Sequence, residues 1–121
     1  MFRRTHPEPA ESIDMLRAKN LKKFTDVYTA DGQRIGVALR FVHRPIEDVD
    51  IELRFYRSYL IVQSILLGGP AYVPTVYIGE YNPAANRLDL SVSLEHLEEN
   101  LWNREPDFVA RGQGVYEELA E

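Results

Sequence analysis

The run Asp26–Val42, DVYTADGQRIGVALRFV, constrains this chain more than any other stretch. It reads as a strand over Phe24 to Thr29, a turn at Ala30-Asp31-Gly32-Gln33 and a return strand. Asp-Gly between two β-prone runs is a strong hairpin signal, because glycine adopts positive φ without steric penalty. Alternation then places Ile35, Val37, Leu39 and Phe41 on one face, with Arg34, Gly36, Ala38 and Arg40 on the other. A glycine in mid-strand marks a bulge or the close approach of another backbone. Gly36 therefore points to a small, strongly curved sheet.

The segments that follow repeat the strand signal at short spacing. His43 to Asp48 reads as a loop set by Pro45, after which Ile51, Leu53 and Phe55 alternate with Asp50, Glu52 and Arg54 as a half-exposed strand. Tyr59 to Leu67 is apolar on both faces and is expected to be the most buried strand, ended by Gly68-Gly69-Pro70. Tyr72 to Gly79 resumes, with Pro74 placing it at an edge or a bend. Asn82-Pro83-Ala84-Ala85-Asn86 is a turn, and Leu88, Leu90 and Val92 form a last alternating strand. Ser93 then caps a helix with Leu94, Leu97 and Leu101 on one face and Glu95 in its first turn, closed by Pro106. About six short strands followed by a helix predict a mainly β domain, a small barrel or sandwich, rather than alternating α/β units.

The ends read differently. Met1 to Ala10, with Pro7 and Pro9, is expected to be a loose arm. Ser12 to about Lys19 reads as a short helix, capped by Ser12 and stopped at Asn20. The division expected is an N-terminal arm and helix over 1–20, the β domain over 21–107 and a weakly packed tail over 108–121.

A chain of 121 residues fits one domain and can bury one core unaided. It holds no cysteine, which excludes disulfides, thiolate metal sites and cysteine nucleophiles together. Fourteen Lys and Arg against 19 Asp and Glu give a net charge of −5, a balance that argues against a nucleic-acid partner. Arg3 and Arg4 have no apolar stretch behind them, so no signal peptide is expected. The Tyr59–Leu67 run falls far short of the ~20 apolar residues a membrane helix needs. The expectation is a cytoplasmic protein that does not insert into membranes.

No residue pattern carries a catalytic signature. His96 with Glu99 and Asn100, or Glu95 with Glu99, has helical spacing, yet metal sites gather three or four ligands and these read as a solvated face. Ser58, Ser64, Ser91 and Ser93 lack the sharp-turn context of an activated nucleophile. Pairs such as Glu47/Asp48 and Asp89/Glu95 are what chance supplies in so acidic a chain. Gly68-Gly69-Pro70 lacks the length and the Lys-Ser/Thr ending of a phosphate loop. His6 and His43 fall in expected loops and connect to nothing. No catalytic, cofactor-binding or metal-binding residue is assigned.

One cluster stands out: Arg40, Arg44, Arg54 and Arg57, with Tyr56 and Tyr59 close in sequence. Cross-strand pairing with Glu47, Asp50 or Glu52 would account for the arginines. Arginine with tyrosine is also the chemistry of protein-interface anchors and of stacking on single-stranded nucleic acid. Arg40, Arg54, Arg57, Tyr56 and Tyr59 are accordingly the candidate interaction surface. Tyr72, Tyr77 and Tyr81 are expected around the mouth of the fold, and Trp102 at one end of it.

Three stretches in order resemble the PRC-barrel family, the small β-barrel of the photosynthetic reaction-centre H subunit and of a ribosome-maturation factor. They are VYTADGQRIGVALRFV, YLIVQSILLGGPAYVPTVYIG and RLDLSVSLEHLEENLWNREPDF. The first matches an opening strand, Asp-Gly turn and Ile-Gly return strand. The second matches a buried strand, a glycine break and an aromatic-Val-Pro segment, and the third a strand running into a helix with a Trp and Glu-Pro ending. The likeness spans about Asn20 to Asp107 and is nearest to a stand-alone bacterial branch. The helical N-terminal extension departs from the family pattern. The resemblance implies a docking or adaptor module acting through protein contacts, without a cofactor. Sheet edges that need burying make a homodimer the expected assembly. An RNA- or ribosome-associated accessory protein is the alternative, and a small-ligand-binding barrel the third.

Overall fold

The computed structural model describes residues 9–45, 56–100, 102 and 104–121. The expected strand at Ile51–Phe55, together with Arg54, Glu47, Asp48, Asp50, Glu52 and Leu101, lies outside the described residues, as does His6.

The fold is mainly β. In order it runs α1 (Pro9–Ala18), β1 (Asp26–Tyr28), β2 (Arg34–His43), β3 (Ser58–Ser64), β4 (Gly69–Pro74), β5 (Ile78–Asn82), β6 (Arg87–Leu90), α2 (Leu94–Glu99), α3 (Asp107–Ala110) and β7 (Val115–Glu118). Short 3-10 turns at Thr75–Tyr77 and Pro83–Ala85 link β4 to β5 and β5 to β6. The strands form one seven-stranded sheet in the order β4-β3-β2-β1-β6-β5, with β7 also on β2. All pairings are antiparallel except β1 with β6, which is parallel.

β2 is the spine. Its residues from Val37 to His43 pair with β3, while its other edge serves β1 at Arg34–Val37 and β7 at Arg40–His43. Among the described residues the sheet is not closed by a ladder between β4 and β5. Those two end strands are nonetheless consecutive in the chain, joined through Thr75–Tyr77 alone. The sheet must therefore curl until its ends meet at that corner. Pro74 stands at the bend and on the end strand, where its missing N–H costs no ladder bond.

Strict alternation along β2 does not hold. Ile35, Ala38, Phe41 and Val42 are buried, whereas Val37 and Leu39 are only partly so. The register shifts at Ile35 against β1 and at Leu39 against β3, and each extra residue reverses the phase of the strand. Gly36 sits between these shifts. A β-carbon there would lie 1.9 Å from the Gln63 carbonyl oxygen, so the close backbone approach expected of it is found.

Two cores result. The inner one combines Val27, Ile35, Ala38, Phe41, Leu60, Val62, Val73 and Leu88 with Ile13 and Leu16 of α1 and Leu97 of α2. The second, on the opposite face of β3, holds Val42, Tyr59, Ile61, Tyr72, Phe108 and Val109. β3 is thus apolar on both faces because both are covered. The stretch expected to be a weakly packed tail supplies the second cover: Phe108 is fully buried, β7 joins the sheet, Leu119 is buried and Ala120 bridges to Lys22.

Local chemistry sets the element ends. α1 stops at Asn20, which is left-handed (φ 54°), with Leu21 N–H donating to Leu16 O (2.9 Å) and Asn20 N–H to Arg17 O (3.1 Å). That pair of bonds is the Schellman arrangement. The helix packs on its own sheet, beginning before the expected Ser12 cap. Ser93 Oγ accepts from His96 N–H (3.1 Å), the expected cap of α2. Asp31, in the hairpin turn, accepts from Leu94 N–H (3.3 Å), tying that turn to the same helix.

Candidate functional site

The predicted surface residues separate in space. Arg40, on β2, lies with Nε 3.1 Å from Glu118 Oε2 and its guanidinium 5.9 Å from the Tyr116 ring. The cross-strand pairing expected of it exists, but the partner strand is β7. Arg57 is exposed at the start of β3. Tyr59 is turned inward, 7% exposed, and burial pushes its hydroxyl pKa up. Tyr56 is half-buried, and burial together with its hydroxyl contact to Tyr77 (2.9 Å) raises its pKa. Its ring stands edge-on to Tyr59, Tyr77 and Trp102.

Arg44 joins these aromatics to the second core. It is 7% exposed, donates from Nε to Tyr56 O (2.8 Å), lies 4.4 Å over the Phe108 ring and reaches the Tyr59 hydroxyl at 3.4 Å. The arginine–tyrosine proximity seen in sequence is real, yet its centre is a buried stacking arrangement that holds α3 down. His96 packs edge-on against Tyr77 and Trp102. Among the described residues no cluster of three His, Asp or Glu side chains is placed to hold a metal.

His43, expected in a loop, ends β2 and is the hub of a polar network. Its Nδ1 lies 2.7 Å from Ser58 Oγ and its Nε2 2.8 Å from Glu117 Oε1. Cross-strand pairing places it: His43 is opposite Ser58 on β3 and opposite Val115 on β7, two residues from Glu117. Arg17 of α1 grips the same carboxylate, donating from Nε to Oε2 (2.8 Å) and from the terminal nitrogen to Oε1 (2.6 Å). The Arg17 hydrogen bonds, reinforced by His43, hold Glu117 down to a pKa of about 2.

A cavity of about 390 Å³ opens beside this network, lined by Ile13, Arg17, His43, Arg57, Ser58, Val115, Tyr116 and Glu117. Its lining carries two arginines and one carboxylate, in a chain whose overall charge is negative. Ser, His and Glu in hydrogen-bonded order invite comparison with hydrolytic triads. The ring nitrogens are used the other way round, Nδ1 toward the hydroxyl and Nε2 toward the carboxylate. Glu117 already spends its charge on Arg17, which weakens its hold on an imidazolium. The arrangement instead provides donors and a polarised hydroxyl around a small space.

Sequence reasoning missed this network because its members are 15 and 74 residues apart from His43. Only the pairing of β2 with both β3 and β7 brings them together, and β7 carries a weak strand signal. No family model, curated protein or solved structure matches the chain.

Proposed function

We propose that this chain is a non-catalytic, cytoplasmic protein-interaction module with a PRC-barrel-like fold. The open sheet curled onto a β4–β5 corner and the mid-strand glycine support the fold reading. The observation that carries the functional one is the β7 surface. Val115 and Tyr116 are 53% and 51% exposed on a strand that pairs only with β2 among the described residues. An edge strand bearing exposed apolar and aromatic side chains is a template for an added chain, and Arg40 beside Tyr116 supplies an interface anchor. Glu117 and Glu118 on the same strand disfavour a phosphate backbone there, which sets the RNA-associated reading second.

The test is site-specific photocrosslinking in lysate of the host. A photoreactive residue replaces Tyr116 in one sample and exposed Glu80 of β5 in the other, with and without RNase. A discrete protein adduct from position 116 alone, insensitive to RNase, is the expected result. An adduct with a second copy would make the surface a dimer interface, and RNase-sensitive adducts would replace the proposal with the RNA reading.

A further inference from the structure

The cavity beside His43 has a use that goes beyond docking. Glu117 is ionised and can only accept, so the 2.8 Å contact requires a hydrogen on His43 Nε2. With His43 neutral, Nδ1 is then an acceptor, and the Ser58 hydroxyl must donate to it across 2.7 Å. Protonation of His43 reverses that bond. Nδ1–H donates to Ser58 Oγ, and the hydroxyl hydrogen is released to another acceptor.

Ser58 and Arg57 both line the cavity, as do the apolar side chains of Ile13 and Val115. We propose that this cavity is a proton-linked site for a carboxylic acid with a small apolar body. The carboxylate lies between the Arg57 guanidinium and the Ser58 hydroxyl, and the hydrocarbon part against Ile13 and Val115. The volume, about 390 Å³, is within the range of small-molecule sites, roughly 300–1,000 Å³. Binding takes up one anion and one proton, the proton residing on His43, so the charge of the site is unchanged.

The groups that face His43 bear on its proton. Glu117 from β7 favours the charged imidazole, whereas Arg17 from α1 and Arg57 at the head of β3 oppose it; Asp14, 3.5 Å from Arg17, offsets part of that opposition. A bound carboxylate adds a second negative charge beside the ring and completes the protonated state. Affinity therefore rises with the proton that His43 takes up on binding.

The probe is benzoate, with benzyl alcohol as its uncharged counterpart, titrated into the full chain and followed by amide and imidazole NMR shifts. Saturable shifts are expected around His43, Ser58 and Val115 at an acidic pH, with weaker affinity at an alkaline one. Arg57→Gln alters an exposed side chain and leaves the fold intact; it should weaken benzoate about tenfold at both pH values. Ser58→Ala should flatten the pH dependence while its spectrum stays dispersed. The proposal is overturned if benzyl alcohol binds as well as benzoate, if affinity is the same at both pH values, or if no saturation is reached by about 10 mM. It is equally overturned if Arg57→Gln binds unchanged.

Discussion

The Gln63 carbonyl occupies the place where a side chain at position 36 would begin. Gly36→Ala must therefore push β2 and β3 apart at the point where each packs the inner core. A loss of about 1–3 kcal/mol or more is expected, read as a lower urea midpoint. Phe24 presents the opposite case. It adopts φ 69°, a left-handed conformation that a bulky side chain resists, while its ring is 59% exposed. Only its N–H bond to Ala38 O (2.7 Å) is needed from that backbone, so Phe24→Gly should keep the bond and relieve strain. A gain of up to about 1 kcal/mol is expected, less the small contribution of Lys23 over the ring. Glu117 links residue chemistry to pH. Its folded pKa, about 2, lies below the ordinary 4.5, so its stabilising contribution is present above about 4.5 and is lost as pH falls toward 2. Glu117→Gln should lower stability at neutral pH and flatten the stability profile across that acid window, measured by urea unfolding at stepped pH.

At the scale of elements, the chain's reading succeeded where signals were local and failed where they were not. Asp31-Gly32, the Asn20 stop, the Ser93 cap and the bend at Pro74 each act within a few residues, and each is found as read. The β2 alternation failed because bulges are decided by the partner strands, not by the strand itself. The stretch that holds α3 and β7, DFVARGQGVYEELAE, reads as a tail because it has two glycines and a charged end. A clue was nevertheless present. Tyr59–Val62 is apolar on both faces, which demands a cover on each, and Phe108-Val109 is an apolar pair otherwise without employment. Phe108→Ala should cost about 3–5 kcal/mol by emptying the second core and removing the surface on which Arg44 stacks. Denaturant unfolding followed by tyrosine fluorescence would register it. Of the candidate surface, Arg40 and Arg54 read as outward-facing from strand alternation, and Arg54 lies outside the described residues. Tyr59 carries two readings in the sequence, part of the most buried strand and part of the interaction surface, and its burial agrees with the first.

At the scale of the molecule, stability should be graded outward from β2, the longest strand, which is flanked on both edges along nearly its whole length, as β3 is. Its amides and those of β3 should exchange slowest with solvent, and those at the Ile65–Gly68 turn, where Ile65 is 93% exposed, fastest. The parallel contact of β1 with β6 has a further consequence, in time rather than in space. Asp26 and Arg87 pair across about half of the chain and Arg40 and Glu118 across more, while β2, β3 and β4 also pair in sequence order. Contacts close in sequence close first, and distant ones must wait for the loop between them to be ordered. The β2–β3–β4 meander is therefore the expected folding nucleus, with φ-values of about 0.5 or higher, and the β1–β6 seam forms late together with the β2–β7 ladder, with values near zero. Substitutions in the seam should then hasten unfolding and leave the folding rate almost untouched, so that the molecule comes apart first along the line where it was finished.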